Sequence, residues 1–282
     1  ALPGPRVLEI GCGPVPLLAM CSTRHGARAW AVEMAPELRE LAAEAVRDSG
    51  LEMVFQYKGY SSYSFFGKPK RPEDPNVRVV KAMPSTSLRV GVTPKLLDGA
   101  RAHVVACVPD DGLLGEDYLE TMWHAAAELL EPGGALLPPA LLVRAAPVEW
   151  LPFGSAEAAA PLHGRLCAGF SLQASPSDWL VPLCGSAEVV LRIDLARRPD
   201  ALPSAEGSVS VEREGLLTAV AFWHEADLGP CAGGEPGPVH PYASARFLRS
   251  PRKVLGGETL GFSLRFVDRQ LQLFLQEDDP TG

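Results

Sequence analysis

Residues 7–20 read VLEIGCGPVPLLAM. An apolar run breaks at Gly11 and Gly13 and resumes at Leu17, the pattern of a buried strand, a tight turn and a helix. A strand and helix this short bury too little to fold alone, so the stretch demands a larger sheet around it. The rest of the chain supplies one. ARAWAVEM (27–34) reads as a second strand, and residues 36–48 as an amphipathic helix with Leu38, Leu41, Ala42 and Val46 on its apolar face. NVRVVKAM (76–83) and RAHVVACV (101–108) are two further strands. DYLETMWHAAAELLEPGG (117–134) follows as a helix, and ALLPPALLVRAAPV (135–148) opens new strands. Strand–helix alternation of this kind predicts a doubly wound parallel sheet with helices on both faces.

Between the second helix and the third strand lies LEMVFQYKGYSSYSFFGKPKRPEDP (51–75). It is longer than an ordinary connection of ~2–6 residues and is read as a loop inserted at the surface. After residue 147 the pattern changes. AEVVLRIDL, GSVSVERE, LLTAVAFWHEADL, ASARFLR, ETLGFSLRFV and QLQLFLQE alternate apolar with polar residues between turn signals. That predicts an antiparallel β domain, a sandwich or barrel, over 148–282, behind an α/β domain over 1–147.

Composition narrows the function. With 46% hydrophobic and 21% charged residues in 282, the chain can bury a sizeable core. Six scattered cysteines without a CxxC pair argue against a zinc site or disulfide framework and fit a reducing compartment, cytoplasmic or nuclear. No metal site is expected. No apolar run reaches membrane-spanning length, and the start ALPGPRVLEIG lacks the pattern of a signal peptide. A net charge of −8 disfavours direct nucleic-acid binding and favours neutral or basic partners.

In a doubly wound sheet the ligand lies beyond the carboxyl ends of the strands, over the first strand–helix turn. Gly11 and Gly13 let backbone approach it, with Cys12 between them. Glu33, followed by Met34 at the end of the second strand, is placed to accept both hydroxyls of a ribose. These features suit a dinucleotide or S-adenosylmethionine. The dinucleotide pattern GxGxxG asks for glycine at Pro16, which the chain lacks, and so the methyl donor is favoured. Glu9 is an acid inside an otherwise apolar strand, and a buried carboxylate needs partners.

A methyltransferase-type sheet followed by a β domain resembles the protein arginine methyltransferases. VLEIGCG is similar to the family's first motif, AWAVEM to its ribose acid, and STSLRVG (85–91) to its third-strand end. ACVPDDGLLGEDYLETMWHAAAELLEPGGALLPPA (106–140) is similar to the family's acidic loop and crossover, with wording around Ser85–Thr86 and LLGE nearest the monomethylating, type III branch. The resemblance implies S-adenosylmethionine held by Glu9, Gly11, Cys12, Gly13, Glu33 and Met34, with adenine near Ser85 and Thr86. In the family an acid at the position of Glu9 meets the amino-acid end of the cofactor. It implies methyl transfer to a guanidino nitrogen of protein arginine, an arginine-rich substrate, and a dimer or a tandem sister domain as partner.

Two glutamates nine positions apart grip the guanidinium in this family. The second falls on Glu116 and the first on Cys107, which is no carboxylate, while Asp110 and Asp111 lie in the same loop. In PVHPYAS, His240 matches the family's barrel histidine, Val239 replaces its threonine, and Pro241 or Tyr242 replaces its tryptophan. The alternative is therefore a catalytically silent domain of the same fold that scaffolds a partner.

Overall fold

The computed structural model describes residues 4–33, 35–50, 53–56, 77–81, 100–108, 114, 116–150, 170–171, 180–228 and 244–276. Its contacts divide the chain into two compact units. One carries a parallel sheet with its helices and the short stretch Leu195–Arg198; the other carries the antiparallel strands from Ala140 onward.

The first unit is built on β1 (Arg6–Ile10), β2 (Arg28–Glu33), β3 (Met53–Gln56), β4 (Val77–Lys81), β5 (Ala102–Ala106) and β6 (Leu130–Leu137). They lie in the order β3-β4-β2-β1-β5-β6, every pair parallel. From β1 the chain winds one way through β2 and β4, and from β5 it winds the other way to β6. Right-handed crossovers then place α1 (Leu17–Arg24) and α2 (Pro36–Asp48) on one face and α3 (Glu116–His124) on the other. The reversal falls between β1 and β5, so the crevice at their carboxyl ends is the topological switch point. The core beneath α1 and α2 is made of small residues, Ala19, Ala27, Ala29, Ala31, Ala42 and Val46, which let helix and sheet approach closely.

Three expectations need correction. Only half of the expected apolar face of α2 is buried: Ala42 and Val46 are, and Leu38 and Leu41 are not. Arg39, Ala42, Ala43 and Val46 are buried, at the i, i+3, i+4, i+7 spacing of a helix stripe, while Leu38 and Leu41 are exposed. Arg39 is a charge within that stripe, and its Nη1 reaches the Glu33 carbonyl at 3.5 Å. Next, part of the expected insertion is ordered sheet. Met53–Gln56 pairs with β4 as an edge strand, Met53 opposite Val77, and four residues are too few for alternation to announce a strand. The remainder of that insertion, including 57–75, lies outside the described residues. Finally, α3 does not run to Gly134. It widens into a single π-helical stretch at Ala125–Leu129, and Leu130 begins β6. Pro132 cannot continue a helix, and Gly133 takes a left-handed φ of 80°. The ladder between β5 and β6 shifts register there.

In the second unit β7 (Ala140–Trp150) and β12 (Gly215–Asp227) are the long central strands. They form a sheet ordered β10-β7-β12-β13-β8, with β10 (Glu188–Asp194), β13 (Ser244–Val254), β8 (Phe170–Ser171), and β9 (Leu180–Pro182) also pairing with β7. β11 (Ala205–Ser210), β14 (Thr259–Val267) and β15 (Gln270–Leu275) form a second antiparallel sheet. Leu217 to Trp223 are buried without alternation, as in a strand covered on both faces. At the bulge in β12, Thr218 Oγ1 accepts from Trp150 N at 2.7 Å and donates to Val148 O at 3.1 Å, which keeps that break in the ladder satisfied. Trp150 then meets Phe247 edge-on, with ring centroids 4.9 Å apart. The architecture is thus the expected one: a doubly wound parallel sheet followed by antiparallel sheets.

Candidate cofactor site

The turn after β1 is shaped by its glycines. Gly11 and Gly13 adopt φ of 68° and 62°, which L side chains rarely accept. A Cβ built on either meets no atom within 4 Å. The glycines are required by backbone angle, and the space before them is open. Gly11 and Cys12 both donate to Val32 O, at 2.8 and 3.1 Å, which ties the turn to the end of β2.

Glu33 closes β2 and is buried, 6% exposed. Its Oε2 accepts from Gly13 N at 2.9 Å and its Oε1 from Ala35 N at 2.8 Å. An ionised carboxylate has about four acceptor positions, so roughly two remain after these bonds. They suit a vicinal diol.

Glu9, three registers along from the start of β1 and opposite Ala31 of β2, is likewise buried. The partner that its burial demands is a helix end. Its Oε2 accepts from Ala19 N at 2.8 Å and its Oε1 from Leu18 N at 3.4 Å. Pro16, at the N-cap of α1, has no side-chain donor or acceptor for this role, and Glu9 fills it from the neighbouring strand. Burial raises the Glu9 carboxyl above its ordinary value of 4.5, and the two backbone bonds oppose that shift.

Two thiols complete the strand ends. Cys12 is buried and its Sγ lies 3.5 Å from Gly13 O. Burial, and then the charges of Glu9 and Glu33, push its thiol up to about 12. Cys107 follows β5, and burial and Glu9 likewise push its thiol up to about 12. Both sulfurs are therefore neutral at ordinary pH. Cys107 N donates to Leu137 O at 2.9 Å, and Tyr118 on α3 donates its hydroxyl to Cys107 O at 3.1 Å. Burial raises the Tyr118 phenol, with Cys107 as the lesser cause.

The structure therefore brings Glu9, Gly11, Cys12, Gly13 and Glu33 together at the turn, with Cys107 within electrostatic reach of Glu9. Met34, Ser85, Thr86, Asp110, Asp111 and His240 lie outside the described residues. Glu116 opens α3 as a backbone position, and its side chain is outside them too. Tyr118 is absent from the sequence candidates, because a tyrosine in a helix carries no positional signal. Arg39 could have been found only by taking a charged residue as part of an apolar stripe. Among the described residues no group of three or more His, Cys, Asp or Glu is disposed to hold a metal.

An adenosyl ligand fits what is present: open space before two glycines and an acceptor pair at the end of β2. No protein-family profile matches the chain. An arginine N(omega)-methyltransferase of Streptomyces achromogenes subsp. streptozoticus is 27% identical over an alignment of 304 residues, covering 96% of this chain and 71% of the relative. Among solved structures, the Trypanosoma brucei PRMT1 enzyme–prozyme heterotetrameric complex with AdoHcy matches with a TM-score of 0.68 and 14% identity. That match covers 99% of this chain and 86% of the other. Arabidopsis thaliana protein arginine methyltransferase 10, in an open conformation, matches with a TM-score of 0.63 and 16% identity over 96% and 83% of the two chains.

Proposed function

We infer that this chain, a relative of the protein arginine methyltransferases by sequence and by fold, is an S-adenosylmethionine-dependent N-methyltransferase acting on a guanidino nitrogen of arginine. The observation that carries the reading is Glu33, a buried carboxylate at the end of β2 with acceptor capacity left over, beside a glycine turn with open space. The likeness in sequence to an arginine N(omega)-methyltransferase along 96% of the chain, and the AdoHcy of the solved trypanosomal neighbour, support the same reading.

Glu33 would hold the ribose hydroxyls, and Gly11, Cys12 and Gly13 the backbone side of the ligand, with Met34, Ser85 and Thr86 around the base. When bound, the cofactor supplies a methyl group on a sulfonium. Glu116 would orient the substrate guanidinium, since a planar cation is best aligned by a carboxylate fork. His240 would close the acceptor side. We place the protein in the cytoplasm or nucleus, and its substrate among arginine-rich proteins. Pairing with a second copy or a sister chain is supported by the assembly of the trypanosomal neighbour.

One observation favours a second reading. Cys107 stands where a paired carboxylate is expected, and its buried thiol is neutral. Without that second carboxylate the chain would be a silent, cofactor-binding scaffold.

The deciding experiment supplies labelled S-adenosylmethionine with an arginine-rich peptide and, separately, with free arginine. The proposal expects label on a guanidino nitrogen of at least one of them. Binding of S-adenosylhomocysteine with no transfer to either substrate would select the scaffold.

A further inference from the structure

The amino terminus of a helix ordinarily attracts anions, because its first N–H groups have no partner within the helix. In dinucleotide-binding folds a pyrophosphate fills that place. Here all but one of the donors near it are committed. Leu17 N donates to Val15 O at 2.8 Å and Met20 N to Pro16 O at 2.9 Å, while Leu18 N and Ala19 N donate to Glu9. Further back, Gly11 and Cys12 donate to Val32 O, and Gly13 to Glu33. Pro14 and Pro16 have no N–H at all. Val15 is left as the one amide of the turn without such a bond among the described residues.

The charge of the turn follows from these bonds. Two buried carboxylates, Glu9 and Glu33, face it, and Arg39 on α2 is turned to the Glu33 carbonyl. A phosphate entering here would meet occupied amides and two like charges. A ligand bringing hydroxyls and an ammonium or sulfonium group would meet acceptors.

We propose that Glu9 is a specificity-determining residue of this site: by occupying the amino terminus of α1 with its own carboxylate, it closes the turn to anionic ligands. It leaves the turn to a ligand that presents hydroxyls and positive charge. The proposal rests on the adenosyl-ligand reading for the identity of that ligand, but the exclusion of anions stands on the hydrogen bonds alone. Glu9 acts through α1 and the turn. It is a positioning residue, and its removal changes which ligand binds.

The test uses inorganic pyrophosphate and S-adenosylhomocysteine as probes, on the wild-type chain and on Glu9→Ala and Glu9→Gln. Affinity is read by calorimetry and by the ligand-dependent rise in melting temperature. The amide resonances of Leu18 and Ala19 report whether the anion reaches α1. In wild type, pyrophosphate should neither shift those resonances nor compete with S-adenosylhomocysteine. In Glu9→Ala it should bind at least ~10-fold more tightly than in wild type and shift both resonances, with a smaller gain in Glu9→Gln, where the charge alone is removed. Pyrophosphate that competes for the wild-type turn would overturn the proposal, and this arm needs no variant to fold. Folded variants that bind pyrophosphate no better than wild type would overturn it as well. If S-adenosylhomocysteine fails to bind wild type while the variants gain pyrophosphate, the adenosyl-ligand reading fails and the role of Glu9 stands.

Discussion

The turn after β1 and the stretch after β5 sit at the same end of the parallel sheet, and they are finished in opposite ways. At the first, two carboxylates are buried and each is met by two backbone N–H groups. At the second, a thiol is buried, with its Sγ 3.9 Å from the carbonyl of Val108. The difference lies in what the backbone has to offer. A glycine turn and a helix start expose donors, so charge can be buried there at tolerable cost. After β5 the Cys107 amide already serves β6 and its carbonyl already serves Tyr118. A carboxylate at position 107 would sense Glu9. The cofactor side of the crevice is thus charged and answered, while its neighbour is neutral.

The largest expected effect breaks the charged side. Glu33→Ala removes the acceptors proposed for the ribose and frees Gly13 and Ala35 of their bonds. A hydrogen bond to a charged group contributes ~1.5–3 kcal/mol, so S-adenosylhomocysteine affinity should fall on the order of 10²-fold or more. Titration of the folded variant checks it; unchanged affinity would remove Glu33 from the site.

Next comes the neutral side. If Cys107 is the lesion in the substrate clamp, Cys107→Glu should raise methyl transfer by about 10- to 100-fold, and adding Glu116→Gln should erase the gain. The new carboxylate would be buried beside Glu9, and both effects raise its pKa. Its benefit should therefore grow as pH rises. A gain that is greatest at low pH would contradict that placement.

A smaller effect concerns the stability of the charged side. The folded-state pKa of Glu9 is raised, so its contribution to stability is fully present below its unfolded value, near 4.5, and is lost as pH rises through the folded value. The margin of wild type over Glu9→Gln should accordingly be widest near the acid end and narrow toward pH 8. Denaturant titrations across that range measure it. At neutral pH the loss of the cap in Glu9→Ala should be of order 1–2 kcal/mol. A margin that widens toward pH 8 would mean the backbone bonds outweigh burial.

The smallest expected effect separates strain from ligand contact. Gly13→Ala and Gly26→Ala both force alanine into a left-handed φ, 62° and 87°, with no atom within 4 Å of the new Cβ. Each should lose ~1–2 kcal/mol, a fall of a few degrees in Tm. Only Gly13→Ala should also weaken S-adenosylhomocysteine, because only its new methyl enters the open space of the turn. Equal binding in the two variants would place the ligand elsewhere.

The two carboxylates were legible because each violates its surroundings. Glu9 interrupts an apolar strand, and Glu33 ends one. What Glu9 does was not legible, since nothing local to β1 says that Leu18 and Ala19 will lie within reach. The parallel sheet was readable from strands flanked by helices, but β3 was absorbed into an insertion because Met53–Gln56 is too short to show a period. On α2 the leucines of the expected face are exposed. Packing against β2 and β4 selected small residues with Arg39 among them, and hydrophobicity alone does not register fit. Cys107 was noticed only through its spacing from Glu116 in the family resemblance. Its neutral, buried state is a property of the strand end and its neighbours.

The turn between β1 and α1 is proposed as the binding site of an adenosyl ligand, and calorimetric titration of the wild-type chain with S-adenosylhomocysteine is the decisive check. One saturable site is expected, lost in Glu33→Ala and indifferent to inorganic pyrophosphate. A folded chain that takes up no S-adenosylhomocysteine, or that binds it equally after Glu33→Ala, would contradict it.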